Sequence, residues 1–276
     1  MSFSIGFVPS TKWLKRTASA FCIGGSLVLS QVASATTVQF QTVLGNFEVN
    51  LFDKTTPITV ANFLAYVNNG SYVNSIVHRS VNGFVIQGGG YQYNNKMPLD
   101  SITQKPKITN EPVYSNLRGT IAMAKGSQVD SATSQWFINL SDKNATDKDF
   151  GYTLDTNTGG FTVFGQVMGN GMQVVDAIAA LSRFNMGNST PFTTIPLRNY
   201  TASDAAANKD VTGDHLVLIE KIIVLNADPD TAAGLNPVKN TSVNKKDDSG
   251  SGSTGLISLL LLGLLALGRK SLLNRK

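Results

Sequence analysis

Residues 77–90 read VHRSVNGFVIQGGG. Val77 to Val81 is a short run with β-branched ends, Asn82-Gly83 is a turn pair, and FVIQ continues apolar into three glycines. A run, a tight turn and a second run are the local signature of two antiparallel strands. Within the first run stands Arg79, beside His78. No Asp or Glu occurs between Asp53 and Asp100 to serve it as a local counter-charge. Either the guanidinium pairs with a distant acid such as Glu111 or Asp130, or it has work to do.

Working outward, the same β rhythm recurs. TVQFQTVLGNFEVNLFD, 37–53, predicts two strands joined around Gly45-Asn46. TPITVANFLAYVNNG, 56–70, predicts a helix capped by Thr56, with Pro57 in its first turn and Val60, Phe63, Leu64 and Val67 on one face. Asn69-Gly70 ends it. Strands are expected at 77–81, 84–87, 119–124, 135–140, 161–167 and 215–225, with His215 at the surface. A second helix is expected near 171–182, on a stripe of Met172, Val175, Ile178 and Ala179. About eight strands in sequential pairs, without βαβ alternation, favour a mainly β fold: a closed eight-stranded antiparallel barrel capped by two α-helices. The polar stretch 183–214 reads as a surface excursion. Residues 228–254 read as a flexible linker, so the domain is expected to span 36–227.

Both ends look like addressing. Lys12, Lys15 and Arg16 precede the apolar run TASAFCIGGSLVLSQV and then Ala33-Ser34-Ala35, which predicts a secretory signal over residues 1–35, cut before Thr36. At the other end a Gly/Ser-rich stretch leads to the apolar run Gly255–Gly268 and then to Arg269, Lys270, Arg275 and Lys276. That run is short against the roughly 20 residues of an ordinary membrane-spanning helix. The whole of 255–276 resembles the GlyGly-CTERM sorting tails of Gram-negative bacteria, which implies removal by a rhomboid-type protease and onward export. A retained membrane anchor is the alternative. The expected location is the periplasm or cell surface, with membrane contact only through this tail.

Charge and cysteine narrow the chemistry. The formal net charge is +5, but seven of the 23 basic residues and none of the 18 acidic ones lie in the two ends. The remaining stretch carries 16 basic against 18 acidic residues, which removes the main support for nucleic-acid binding. The single cysteine, Cys22, falls inside the leader, so disulfides and thiol chemistry are not expected of the mature chain. With two histidines, a His-rich metal site is not expected either.

Two further stretches carry chemistry: GTIAMAKGSQVDSATSQWFINL, 119–140, and GGFTVFGQVMGNGMQVVDAI, 159–178. With HRSVNGFVIQGGG they closely resemble the cyclophilin family of peptidyl-prolyl cis-trans isomerases, over roughly residues 37–226, and look most like its bacterial periplasmic branch. The resemblance implies a cofactor-free monomer that turns Xaa-Pro bonds in unfolded or nascent exported polypeptides. A non-catalytic proline-binding chaperone of the same fold is the alternative.

The chemistry is consistent with those residues. Twisting a peptide bond breaks amide resonance, against a barrier of about 18–20 kcal/mol. No bond forms or breaks, so neither nucleophile nor metal is required. The proline nitrogen becomes a good hydrogen-bond acceptor only when twisted, so a donor aimed there favours the transition state. Arg79, always protonated, is assigned that role. By resemblance Phe84 and Phe137 form an apolar cup for the proline ring, with Met123, Leu154 and Phe161, and Gln87 bonds the substrate backbone. Ala124 and the backbone around Lys125 match the stretch along which the peptide is laid. Gln135 and Phe137 share strand parity, whereas Phe84 and Gln87 do not, so a bulge or twist is expected after Gly83. Alternation turns Trp136 away from the site, and turns His78 away from Arg79, although the family counterpart of His78 lines the site's edge. The rim tryptophan of many eukaryotic members is missing here, with Phe150 or Tyr152 as candidates for its place.

Overall fold

A computed structural model describes residues 1–2, 36–147, 153–187, 192–227 and 235–243. The chain divides into two units, Met1–Val32 and Ala33–Lys276, and every element below belongs to the second. The leader beyond Ser2 and the tail 255–276 lie outside the described residues, as do Phe150 and Tyr152.

The strands are β1 (Thr37–Thr42), β2 (Gly45–Leu51), β3 (Ser75–Ile76), β4 (Arg79–Val81), β5 (Val85–Gly88), β6 (Tyr91–Gln92), β7 (Asp100–Ser101), β8 (Thr120–Met123), β9 (Trp136–Asn139), β10 (Val163–Val167), β11 (Arg183–Phe184), β12 (Ile195–Pro196) and β13 (Leu218–Asn226). Four α-helices occur among the described residues: α1 (Pro57–Asn68), α2 (Lys143–Thr146), α3 (Gly171–Ala179) and α4 (Ala202–Ala206). Eleven strands form one antiparallel sheet in the order β4-β5-β9-β8-β10-β2-β1-β13-β3-β6-β7, while β11 and β12 pair separately.

The fold is mainly β, as expected, but the sheet is not the closed eight-stranded ring, and there are more than two helices. The reason lies in the opening stretch. Of the strand expected at 77–81 only Arg79–Val81 is strand, as β4; β3 precedes the span at Ser75–Ile76, and the ladder breaks between them at Val77-His78. The N–H of Val77 donates to the Val217 carbonyl (3.1 Å) and that of His78 to the Gln87 carbonyl (3.1 Å). The chain thus changes partners between one residue and the next, and the sheet keeps two edges.

Alternation along β1 and β2 turns Val38, Phe40, Phe47 and Val49 into the main core, where Phe40 stacks on Phe47 and meets Trp136 edge-on. Their hairpin turns at Val43-Leu44, two residues earlier than the expected pair, because Thr42 pairs with Gly45. Helix α1 buries Val60, Phe63 and Tyr66, whereas Leu64 and Val67 are only partly covered. Thr56 occupies the N-cap but makes no side-chain cap there, and its hydroxyl donates to the Phe52 carbonyl instead. The cap comes from Glu111, whose carboxylate accepts from the N–H groups of Ile58 (3.3 Å) and Thr59 (2.9 Å). An anion at that end also suits the helix dipole.

Trp136 explains two of the three glycines. A Cβ on Gly88 would stand 2.7 Å from its indole; one on Gly89 would stand 2.6 Å from the Ser134 carbonyl and 2.8 Å from the same ring. Gly89 also has φ +75°. We expect Gly89→Ala to destabilise the fold by on the order of 3 kcal/mol, read from urea denaturation midpoints. Gly83→Ala, at φ +63° with open space around it, should cost about 1 kcal/mol.

Two stretches are more ordered than their composition suggests. The 183–214 excursion carries its own small core of Ile195, Leu197, Tyr200 and Val211, packed with Ile76 and Leu216. His215 is buried there rather than exposed: its Nδ1 accepts from the Thr212 N–H (3.0 Å) and its ring meets Tyr200 edge-on. Residues 235–243, expected within the linker, run antiparallel to Val113–Ser115. The Ser115 N–H donates to the Val238 carbonyl (2.8 Å), and the Asn240 N–H to that of Val113 (2.9 Å).

Candidate active site

The ladder sets out the site as a row. Arg79 on β4 stands opposite Gln87 on β5, Gln87 opposite Phe137 on β9, Phe137 opposite Ala122 on β8, and Ala122 opposite Val163 on β10. Directly opposed residues project to the same side of a sheet, with Cβ atoms about 5 Å apart. One face therefore carries a polar end at β4 and β5 that gives way to an apolar end at β9, β8 and β10.

The polar end is a relay. Arg79 Nη1 donates to Gln87 Oε1 at 3.3 Å, and Gln87 Nε2 donates to Gln135 Oε1 at 2.8 Å. Gln87 is nearly enclosed and Arg79 is 9% exposed, so the guanidinium is held within the structure rather than waving in solvent. As for the two distant acids, Glu111 caps helix α1 and Asp130 accepts from the Asn110 N–H (2.8 Å).

The apolar end gathers Phe84, Ala124, Phe137, Leu154 and Phe161 in one cluster with Ala122 and Val163. Phe137 and Phe161 meet edge-on, centroids 5.6 Å apart. Phe84 reaches the cluster without the expected bulge. It is the last turn residue, its N–H donating to the Val81 carbonyl (3.1 Å) across Gly83 at positive φ, and β5 begins only at Val85. Strand parity therefore does not bind it.

Behind the cluster runs a buried amide network. Asn144 Nδ2 donates to the Phe84 carbonyl (2.8 Å) and to Asn139 Oδ1 (2.7 Å), while Asn139 Nδ2 donates to Thr120 Oγ1 (2.9 Å). Asn116 donates from its backbone and side chain to Asp155 Oδ1, at 2.7 and 3.0 Å. These bonds fix the backbone from which Phe84 and Leu154 project.

Two expectations need correction, those for Met123 and His78. Met123 lies in the main core, opposite Trp136, because alternation sends it to the face away from Ala122 and Ala124. His78 is fully buried against Tyr91 (5.1 Å) and lines no edge. Neither of its ring nitrogens closes a good hydrogen bond, although Ile76 and Gln135 lie near. Burial, and then the charge of Arg79, push its pKa down to about 3, so it is neutral. Lys125 is buried by its side chain too: Nζ donates to the Thr158 carbonyl (2.6 Å) and sits 5.1 Å from the centre of the Phe161 ring. Desolvation lowers its pKa to about 8, against the opposing pull of Asp130. Val85, by contrast, was not singled out, yet it is buried in the apolar cluster. Its parity with Gln87 was the available signal.

Arg79 and Gln87 thus stand beside a buried aromatic cluster, an arrangement that can grip an apolar ring and offer a hydrogen-bond donor next to it. The family profile described as cyclophilin type peptidyl-prolyl cis-trans isomerase matches residues 37–202. The chain is 39% identical over 180 residues to a peptidyl-prolyl cis-trans isomerase of Acinetobacter baylyi, covering 64% of this chain and 90% of that one. It is 37% identical over 178 residues to peptidyl-prolyl cis-trans isomerase B of Escherichia coli, covering 60% of this chain and 99% of that one. A crystal structure of a cyclophilin type isomerase from Cryptosporidium parvum aligns at 22% identity and a TM-score of 0.48, over 70% of this chain and 98% of that one. The chain belongs to the cyclophilin-type peptidyl-prolyl cis-trans isomerase family. Its activity is the cis–trans isomerisation of Xaa-Pro bonds.

Proposed function

We propose that this isomerase acts on proline-containing segments of exported polypeptides, with the proline ring seated on Phe84, Phe137, Leu154 and Phe161 and the Arg79 guanidinium beside the twisting bond. The observation that carries this reading is the row that places Arg79 and Gln87 next to Phe137. The Gln87–Gln135 bond holds Gln87, and Gln87 in turn orients the guanidinium. A donor already in place when the amide twists costs no reorganisation at that moment. Catalysis needs no proton transfer, which agrees with a neutral, enclosed His78.

The test is the cis-to-trans rate on an Ala-Pro-containing peptide, followed without a coupling protease. Saturable acceleration is expected, and binding without acceleration would favour the chaperone reading. For the relay, Gln87→Leu should lower kcat/KM about tenfold, because it removes the group that orients Arg79 and a contact to the peptide. The export reading rests on the leader and tail sequences. Intact mass of the protein from its native host should show the chain beginning at Thr36, and an uncut leader would overturn it.

A further inference from the structure

The strap at residues 235–243 lies outside the span matched by the family profile, yet it reaches the site. Leu235 packs against the apolar cluster that holds Phe84, Phe137, Leu154 and Phe161. Tyr114 packs against the same cluster and meets Phe52 edge-on at 5.0 Å. Farther along, Asn240 Nδ2 donates to the Asp155 carbonyl at 2.8 Å.

Asp155 follows Leu154 and opens the loop that returns to Phe161. The loop is tight: the Phe161 N–H donates to the Leu154 carbonyl (2.9 Å), and Thr158 sits at φ 52°. A Cβ on Gly160 would stand 2.6 Å from the Asp155 carbonyl. That carbonyl is therefore the point on which the loop folds back. Asn116 holds Asp155 by its carboxylate, and Asn240 holds it by its backbone.

We propose that the strap is a positioning element of the proline cup: Asn240 fixes the loop that presents Leu154 and Phe161, and Leu235 backs the cluster from behind. Neither residue touches the reacting bond. The effect falls on substrate binding, while Arg79 and Gln87, on β4 and β5, are supported by other bonds. This inference rests on the reading of the cluster as the proline cup.

The test uses the full chain and an Ala-Pro-containing peptide, with kcat and KM separated and thermal midpoints recorded. Leu235→Ala and Asn240→Ala should each raise KM about 3- to 10-fold and change kcat less than about twofold. Leu235→Met, which refills the space, should restore most of the loss. Unchanged KM in both alanine variants overturns the proposal, whether or not the thermal midpoint drops. So does a fall in kcat alone. Phe137→Ala separates the two readings. If it raises KM while the strap variants do not, only the strap's role falls; if it too leaves KM unchanged, the cup is misassigned and both fall.

Discussion

Arg79→Ala is expected to lower kcat about 10²- to 10³-fold, the usual cost of removing one donor aimed at a developing acceptor, while the affinity for an Ala-Pro peptide changes only a few-fold. The split follows from where the residue sits. In the seating proposed above, the proline ring meets the apolar end of the row, which the substitution leaves alone, and a ground-state proline nitrogen hardly accepts a hydrogen bond. Arg79→Lys should recover only part of the loss. A lysine keeps the charge, but not the planar fork that bonds Gln87 and carries further donors for the proposed contact. Single-turnover rates and peptide titrations on the same preparations check both halves. An alanine variant that turns over at the wild-type rate would remove Arg79 from the mechanism.

The second large effect is on stability in acid. The folded state holds His78 neutral down to about pH 3, whereas the unfolded chain protonates it near the ordinary value of 6.5. Between those limits the unfolded chain binds more protons, so stability falls as pH falls, by up to about 1.4 kcal/mol per pH unit and a few kcal/mol in all. Above about pH 6.5 the contribution is complete. Asp204 acts in the same direction but lower, since bonds from Thr201 and Lys209 hold its carboxyl at about 2. The window from pH 4 to 6.5 therefore reports on His78. His78→Phe keeps a ring against Tyr91 and carries no proton, so it should flatten that window in urea titrations. A wild-type protein equally stable at pH 4 and 6.5 would mean that the buried imidazole is charged.

Much of the fold was legible because local and long-range signals agreed. The turn around Asn82-Gly83, the Val175 and Ile178 face of α3 and the inward tryptophan follow from period and turn chemistry. What could not be read depended on partners far along the chain. The split at Val77-His78 is set by two different neighbouring strands, and the α1 cap comes from Glu111, 52 residues beyond Thr59. In the site, the ladder sets Arg79, Gln87 and Phe137 in one row, and Phe84 joins the apolar cluster beside them. Met123 and Val85 were exchanged, although parity with Ala124 and Gln87 distinguishes them. His78 and Lys125 carry polar side chains whose burial no pattern announces. The segment LNPVKN, 235–240, has the composition of a linker, and its partners, the Val113–Ser115 backbone among them, lie far back along the chain.

The sheet's order has a bearing on how the molecule comes into being. β1, the first strand, is hydrogen-bonded on one side to β13, the last, over Thr37 to Thr42. That seam joins residues nearly two hundred positions apart, so it cannot close until the far end of the domain has left the ribosome. Until then the inward faces of the early strands stay uncovered, and such long-range closure is intrinsically slow. An enzyme that turns proline bonds in other chains thus has a sheet of its own that is sealed only when its last strand is in place.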